Sequence, residues 1–296
     1  MLQNYGCQNM VNPIRRILIK HVKESYQDQK LLEKTFASLN YFDVPNFSKA
    51  VSQYQKFISL LNKFHIELHF LPKSDKVTPD SIYTHDPCIV SSKGIILCSM
   101  GKDQRISEVE EVKSYFKSLN IPILGQIMKP GKLEGGDVVW INEKTVAIGE
   151  GYRSNAEGIR QFKTLLGDNI ENIITVALPH WNGPSDCLHL MSNVSPIDKD
   201  LYLIYPRLLP VSFLKYLSDM RIDFITVPEV EYETMGCNVL AIEPRKVIML
   251  DGNPITKKRL EKHNVEVHCY DGSEISLKGS GGPTCLTRPF YREKLL

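Results

Sequence analysis

The chain has 296 residues, 42% apolar and 24% charged, with 36 Lys+Arg against 34 Asp+Glu for a net charge of +2. That length suits one large domain or two ordinary ones, and the near-neutral balance excludes the basic footprint that nucleic acid or an anionic membrane would need. Seven cysteines, odd in number and without a Cys-x-x-Cys pair, argue against a disulfide framework or structural zinc. The N-terminus lacks a basic-then-apolar leader and no apolar run approaches a membrane span, so a cytoplasmic protein is expected.

In chain order, residues 15–20 read as a strand, 47–61 as a helix with apolar spacing and 66–70 as a second strand. From there a unit repeats. Strands over 89–92 and 95–98 flank a tight Lys93-Gly94 turn, followed by a helix over 106–119 and a strand over 121–124. The same order recurs as strands over 138–141 and 145–148, a helix over 155–166 and a strand over 173–176. It recurs again as strands over 188–195 and 201–204 around a turn at Pro196-Ile197-Asp198, a helix over 211–220 and a strand over 224–227. A further copy has strands over 238–242 and 247–250, a helix over 255–263 and a strand over 265–267. Ser107, Ser154 or Asn155, and Thr256 are the expected helix caps.

The hairpins recur at roughly 50 residues, a period that signals a radial or stacked array. The N-terminal unit lacks one hairpin strand, which the segment 284–291 can supply by closing the ring. The expected fold is therefore a five-bladed α/β propeller of five ββαβ units with pseudo-fivefold symmetry. Residues 1–296 are expected to form a single catalytic propeller domain, with the hairpin ends converging on a central channel.

Polar clusters stand where the hairpins begin: Pro79 to Pro87, Leu133-Glu134-Gly135-Gly136-Asp137 and Asp186-Cys187-Leu188-His189-Leu190. The last segment carries Cys285 within Gly279-Ser280-Gly281-Gly282-Pro283-Thr284-Cys285, where three glycines and a proline frame one thiol. Each residue also has a plainer use. Asp80 and Asp137 can cap turns, His189 can be a core histidine, and His85 reads as scaffold. Glu134 has no helix N-terminus to cap, and buried charge is costly. Arg105 and Arg153 each precede a helix start, where a cation gains nothing from the dipole; surface charge or bidentate binding of a substrate carboxylate are the alternatives.

Two or three carboxylates facing a thiol raise its pKa, which suits a nucleophile only if the substrate is itself a cation. A guanidinium would pair with the carboxylates and activate Cys285 on arrival, with His189 as acid and then base. These motifs resemble those of the guanidino-modifying (pentein) superfamily, and within it dimethylarginine dimethylaminohydrolases most of all. The resemblance implies a Cys285 nucleophile, His189 as acid/base and Glu134 with Asp86 on the guanidinium. It also implies Asp80 by the substrate amine or the catalytic centre, and Arg153 and Arg105 on the carboxylate of an arginine-like amino acid. His189-Leu190-Met191 departs from the His-x-Asp usual in deiminases and amidinotransferases, whereas Gly-Gly-Pro-Thr-Cys is similar to the deiminase ending.

The expected function is hydrolysis of a guanidino or ureido C–N bond through a covalent thiouronium. Alternatives are an arginine- or citrulline-hydrolysing relative, an amidinotransferase, or an amino-acid-binding propeller without catalysis. A papain-like protease fits poorly because its Cys precedes its His. Neither cofactor nor metal is expected, nor a nucleic-acid or membrane partner, and a homodimer stays open.

Overall fold

The computed structural model describes residues 4–294. Five three-stranded sheets each carry one antiparallel pair and one parallel outer strand. The second sheet contains β3 (Cys88–Ser91), β4 (Gly94–Leu97) and β5 (Ile123–Gln126). The third contains β6 (Val138–Asn142), β7 (Thr145–Glu150) and β8 (Asn172–Ala177). The fourth contains β9 (Val194–Asp198), β10 (Leu201–Ile204) and β11 (Asp223–Thr226). The fifth contains β12 (Val239–Glu243), β13 (Lys246–Leu250) and β14 (Glu266–Tyr270). In the first sheet β1 (Ile14–Ile19) lies between β2 (Glu67–Phe70) and the C-terminal β15 (Arg288–Arg292), antiparallel to β15 and parallel to β2. The ring thus closes between the two ends of the chain, giving the five-unit propeller that the period implies.

Burial explains why the strands read as they do. β3 and β4 are buried at every position, because both of their faces meet protein, and so they appear as unbroken apolar runs. The outer strands β2 and β11 are mostly exposed or partly buried, with one fully buried position each. The helices α1 (Val22–Ser25), α2 (Gln29–Thr35), α3 (Phe47–Asn62), α4 (Glu108–Ser118), α5 (Ala156–Leu166), α6 (Val211–Asp219) and α7 (Pro254–Lys262) complete the units. On α3, Ala50, Tyr54, Phe57, Ile58 and Leu61 form one buried stripe at helical spacing, sealing a core with Ile17, Ile248 and Tyr270.

Several local expectations change. The third hairpin starts later: β9 runs Val194–Asp198, so Pro196 and Ile197 lie in the strand and the turn falls at Lys199 and Asp200. His189 consequently sits in a loop before a short 3-10 turn, Leu190–Ser192. Asn155 caps α5 by accepting from the Gly158 N–H at 2.9 Å, but Ser107 makes no side-chain cap. Thr256 lies inside α7, which begins at Pro254. There the Glu231 carboxylate accepts the Ile255 and Thr256 N–H groups, each at 2.7 Å, an N-terminal cap supplied from another part of the chain.

Candidate active site

The inner strands β3, β6, β9, β12 and β15 all start at one end of the channel, and the residues just before them meet there. Glu134 is fully buried. Its Oε1 accepts the Gly101 N–H at 2.7 Å and the Lys102 N–H at 3.2 Å; its Oε2 receives His189 Nε2 at 2.7 Å and Arg153 Nη1 at 2.9 Å. Asp86 Oδ1 accepts the Gly136 N–H at 3.0 Å and lies 3.9 Å from His189 Nδ1; its Oδ2 takes Arg105 Nη1 at 2.6 Å. A Cβ on Gly136 would collide with the His189 ring, so only glycine lets the imidazole lie this close to the backbone.

A second layer fixes these groups. The Ser154 hydroxyl accepts the Glu134 N–H at 3.1 Å and donates to Asp137 Oδ2 at 2.6 Å. Asp137 Oδ1 accepts the Leu190 N–H at 2.9 Å, anchoring the residue next to His189. Burial raises the Asp137 carboxyl to about 6 despite the neighbouring His189. Burial would raise Glu134 as well, but Arg153 and His189 hold it at about 2. Burial alone would depress His189, yet Cys187, Asp86 and Asp137 together push it well above the ordinary imidazole value. An imidazolium between two carboxylates results.

Cys285 is partly buried and shares a cavity wall with His189, Cys187 and Asn238; the cavity holds about 90 Å³, with the exposed Phe42 and Trp181 also lining it. Burial and then Asp86 push the Cys285 thiol up to about 12, so it is neutral in the empty site. Asn238 Nδ2 donates to its sulfur at 3.2 Å, while Asn238 Oδ1 accepts the Thr284 N–H at 3.1 Å. Cys187 behaves oppositely. Its sulfur lies 3.5 Å from His189 Nδ1, and although burial would raise the thiol, His189 and Arg153 bring it below its ordinary value.

The structure gathers His189, Glu134, Asp86, Arg105 and Arg153 into one network and sets Cys285 on the same cavity as His189. The two arginines, expected on a substrate carboxylate, each pair with a protein carboxylate in this structure. Arg105 is buried, with Nε and Nη2 on Glu108, Nη1 on Asp86 and Nη2 also on the Tyr83 carbonyl at 2.7 Å. No bidentate face is free for a substrate carboxylate. Arg153 donates Nη1 to Glu134 Oε2 at 2.9 Å. The reason is electrostatic: buried carboxylates need counter-charges, and these guanidiniums supply them. Asp80 is likewise paired, with Lys102 Nζ 2.6 Å from its Oδ2.

Asp86, Glu134 and His189 also place three potential metal-ligand atoms within 4.8 Å of one another. Arg105 and Arg153 already set two positive charges against the same carboxylates, which disfavours a further cation there. Sequence reasoning overlooked Asn238, Cys187 and Lys102. The repeat could have found Asn238, because it stands just before β12 as Asp137 stands just before β6.

No helix among the described residues is long and apolar enough to cross a membrane. Residues 65–221 and 209–292 match the family model described as arginine deiminase. The arginine deiminase of Listeria welshimeri is 24% identical over 92% of this chain and 73% of its own length. The N(G),N(G)-dimethylarginine dimethylaminohydrolase of Pseudomonas aeruginosa is 26% identical over 92% of this chain and all of its own. A structure of that aminohydrolase with citrulline has a TM-score of 0.75 at 22% identity, covering 94% of this chain and 100% of its own. The N-terminal domain of ArgZ, a cyanobacterial arginine dihydrolase, has a TM-score of 0.76 at 19% identity, covering 95% and 98%. With a family model matched over most of its length, and with this fold, the chain belongs to the arginine deiminase family, within the guanidino-modifying (pentein) superfamily.

Proposed function

We propose that the protein is a cysteine hydrolase that cleaves a C–N bond in the guanidino group of an arginine-like amino acid. One observation carries this reading: a neutral thiol, Cys285, on the same small cavity as an imidazolium, His189, that is held by two buried carboxylates. A cationic substrate brings positive charge next to the Cys285 thiol. Its approach lowers the Cys285 pKa, the thiol gives up its proton to solvent water, and the thiolate attacks the planar guanidino carbon. His189 then donates a proton to the departing nitrogen, which leaves as ammonia or an amine, and a thiouronium remains on Cys285. The now neutral His189 takes a proton from water, whose oxygen attacks the same carbon. Collapse expels the Cys285 thiolate and yields a ureido product. Glu134 and Asp86 stabilise the imidazolium throughout, and Asn238 donates to the thiolate whenever it forms. The whole chain acts as one catalytic unit in this reading.

Relatives include both deiminases and a dimethylarginine hydrolase. The His189-Leu190-Met191 sequence, without a carboxylate two residues after the histidine, favours the latter branch. The test is a panel of arginine, methylated arginines, citrulline and agmatine, with ammonia, methylamines, citrulline and ornithine measured. Expected is release of ammonia or an amine with a ureido product, lost by roughly 10⁴-fold or more in Cys285→Ser while the melting temperature is kept. Full turnover in Cys285→Ser removes the nucleophile from the mechanism. Turnover only when an acceptor amine is added makes the protein a transferase.

A further inference from the structure

Along β15, beneath the catalytic centre, lies a second, unbalanced charge. Arg288 and Arg292, at the two ends of β15, are both buried, at 7% and 3% exposure. Among the described residues neither has a carboxylate within ion-pair distance. Arg288 donates Nε and Nη2 to the His85 carbonyl. Arg292 donates Nη1 to the Asn12 carbonyl at 2.5 Å and Nη2 to the Ala241 carbonyl at 2.9 Å, and its buried Nε–H has no hydrogen-bond partner. Both side chains line one internal cavity of about 20 Å³, with Cys7, His85 and Thr284 on its wall. Cys7 and Arg292 also line a groove of about 570 Å³ running past Ser92, Glu143 and Asn169.

Carbonyl dipoles satisfy guanidinium N–H groups but cancel no charge, and two cations on one cavity repel. The neutral groups present do not repair this. Burial and Arg288 hold His85 at about 3, so it is uncharged, and burial raises the Cys7 thiol although both arginines act to lower it. A space of that size admits a particle about as large as one water and excludes phosphate, sulfate or a carboxylate-bearing metabolite. We propose that this cavity is a binding site for a single monatomic anion of chloride size, held by Arg292 and Arg288. The site lies beneath the catalytic centre, because Arg288 holds the carbonyl of His85, the residue before Asp86.

The test uses the whole protein. Melting temperature is followed while chloride or bromide replaces gluconate at constant ionic strength, and crystals soaked in bromide are examined for anomalous scattering. Expected are a saturable rise of roughly 2–5 °C with the halides and an anomalous peak beside Arg292 Nε. Arg292→Met should lose both; Arg288→Met provides the same comparison if that variant does not fold. An ordered water in place of bromide, with equal melting in halide and gluconate, overturns the proposal. So does a bromide peak with no halide-specific stabilisation, which marks an adventitious ion only. A halide effect that is absent from the wild type but appears in Cys7→Ala also overturns it, because the Cys7 thiolate is then the resident anion.

Discussion

Two regions of the propeller use the same residue types in opposite balance. Where the inner strands begin, three buried carboxylates each have a cation: Glu134 with Arg153 and His189, Asp86 with Arg105, Asp80 with Lys102. Further along β15 Arg292 meets the Asn12 and Ala241 carbonyls and the Cys7 thiol, with no carboxylate in ion-pair distance among the described residues. The difference teaches what each region can accept. The first is an acid-rich site whose cations are in place before substrate arrives, so a guanidinium must compete with them for the carboxylates. The second lacks a negative charge. A shared propeller frame thus carries two distinct electrostatic problems, set by which side chain each unit presents.

The largest expected effect comes from removing one charge at the catalytic end. Glu134→Gln should reduce kcat by about 10²- to 10⁴-fold, because His189 loses the carboxylate that its Nε2 bonds at 2.7 Å and that orients the ring. It should also lower the melting temperature, since Arg153 is left buried without its counter-charge. Steady-state kinetics beside calorimetry check both; a variant with normal kcat would separate Glu134 from the chemistry.

Acid unfolding sharpens the same contrast. Glu134 titrates at about 2 against an ordinary 4.5, so the stability it contributes is present above 4.5 and is lost as pH falls through 2. Asp137, raised to about 6 from 3.8, has the opposite sign: its contribution is present below 3.8 and is lost as pH rises through 6. Urea midpoints across pH 2–8 should show the deficit of Glu134→Gln growing from pH 2 to 5. The deficit of Asp137→Asn should shrink between pH 4 and 7. Parallel curves for wild type and both variants would show that neither carboxyl is tuned by its surroundings.

The smallest effect concerns the two thiols of one cavity. In the empty protein iodoacetamide should modify Cys187 before Cys285, because His189 lowers the first while burial and Asp86 raise the second. Peptide mapping should show Cys285 labelling become faster when a guanidinium ligand is added to Cys187→Ser. Cys285 reacting first in the ligand-free wild type would contradict the electrostatics of the site.

Most of the fold was legible because its units repeat. Inner and middle strands buried on both faces give apolar runs, and tight turns such as Lys93-Gly94 mark their hairpins. The third hairpin was misplaced because the strand-like run 188–195 contains both the loop of His189 and the start of β9, and apolar character alone does not separate them. The helices α1 and α2 were missed because they are short and lie between the first strand and a much stronger helical pattern.

By itself the sequence determined the period, the closure of the ring by the C-terminal strand, and the positions of Cys285, His189, Glu134 and Asp86 at hairpin starts. These follow from spacing along the chain, which backbone geometry converts directly into place. Only the tertiary structure decided what those side chains face. Arg105 and Arg153 turn inward to neutralise Asp86 and Glu134, Asn238 reaches the Cys285 sulfur, and Cys187 meets His189. Arg288 and Arg292 donate to carbonyls. Charge pairing in a low-dielectric interior depends on distances in space between side chains such as Arg105 and Asp86, or Arg153 and Glu134, that stand 19 residues apart, and no local pattern records those distances.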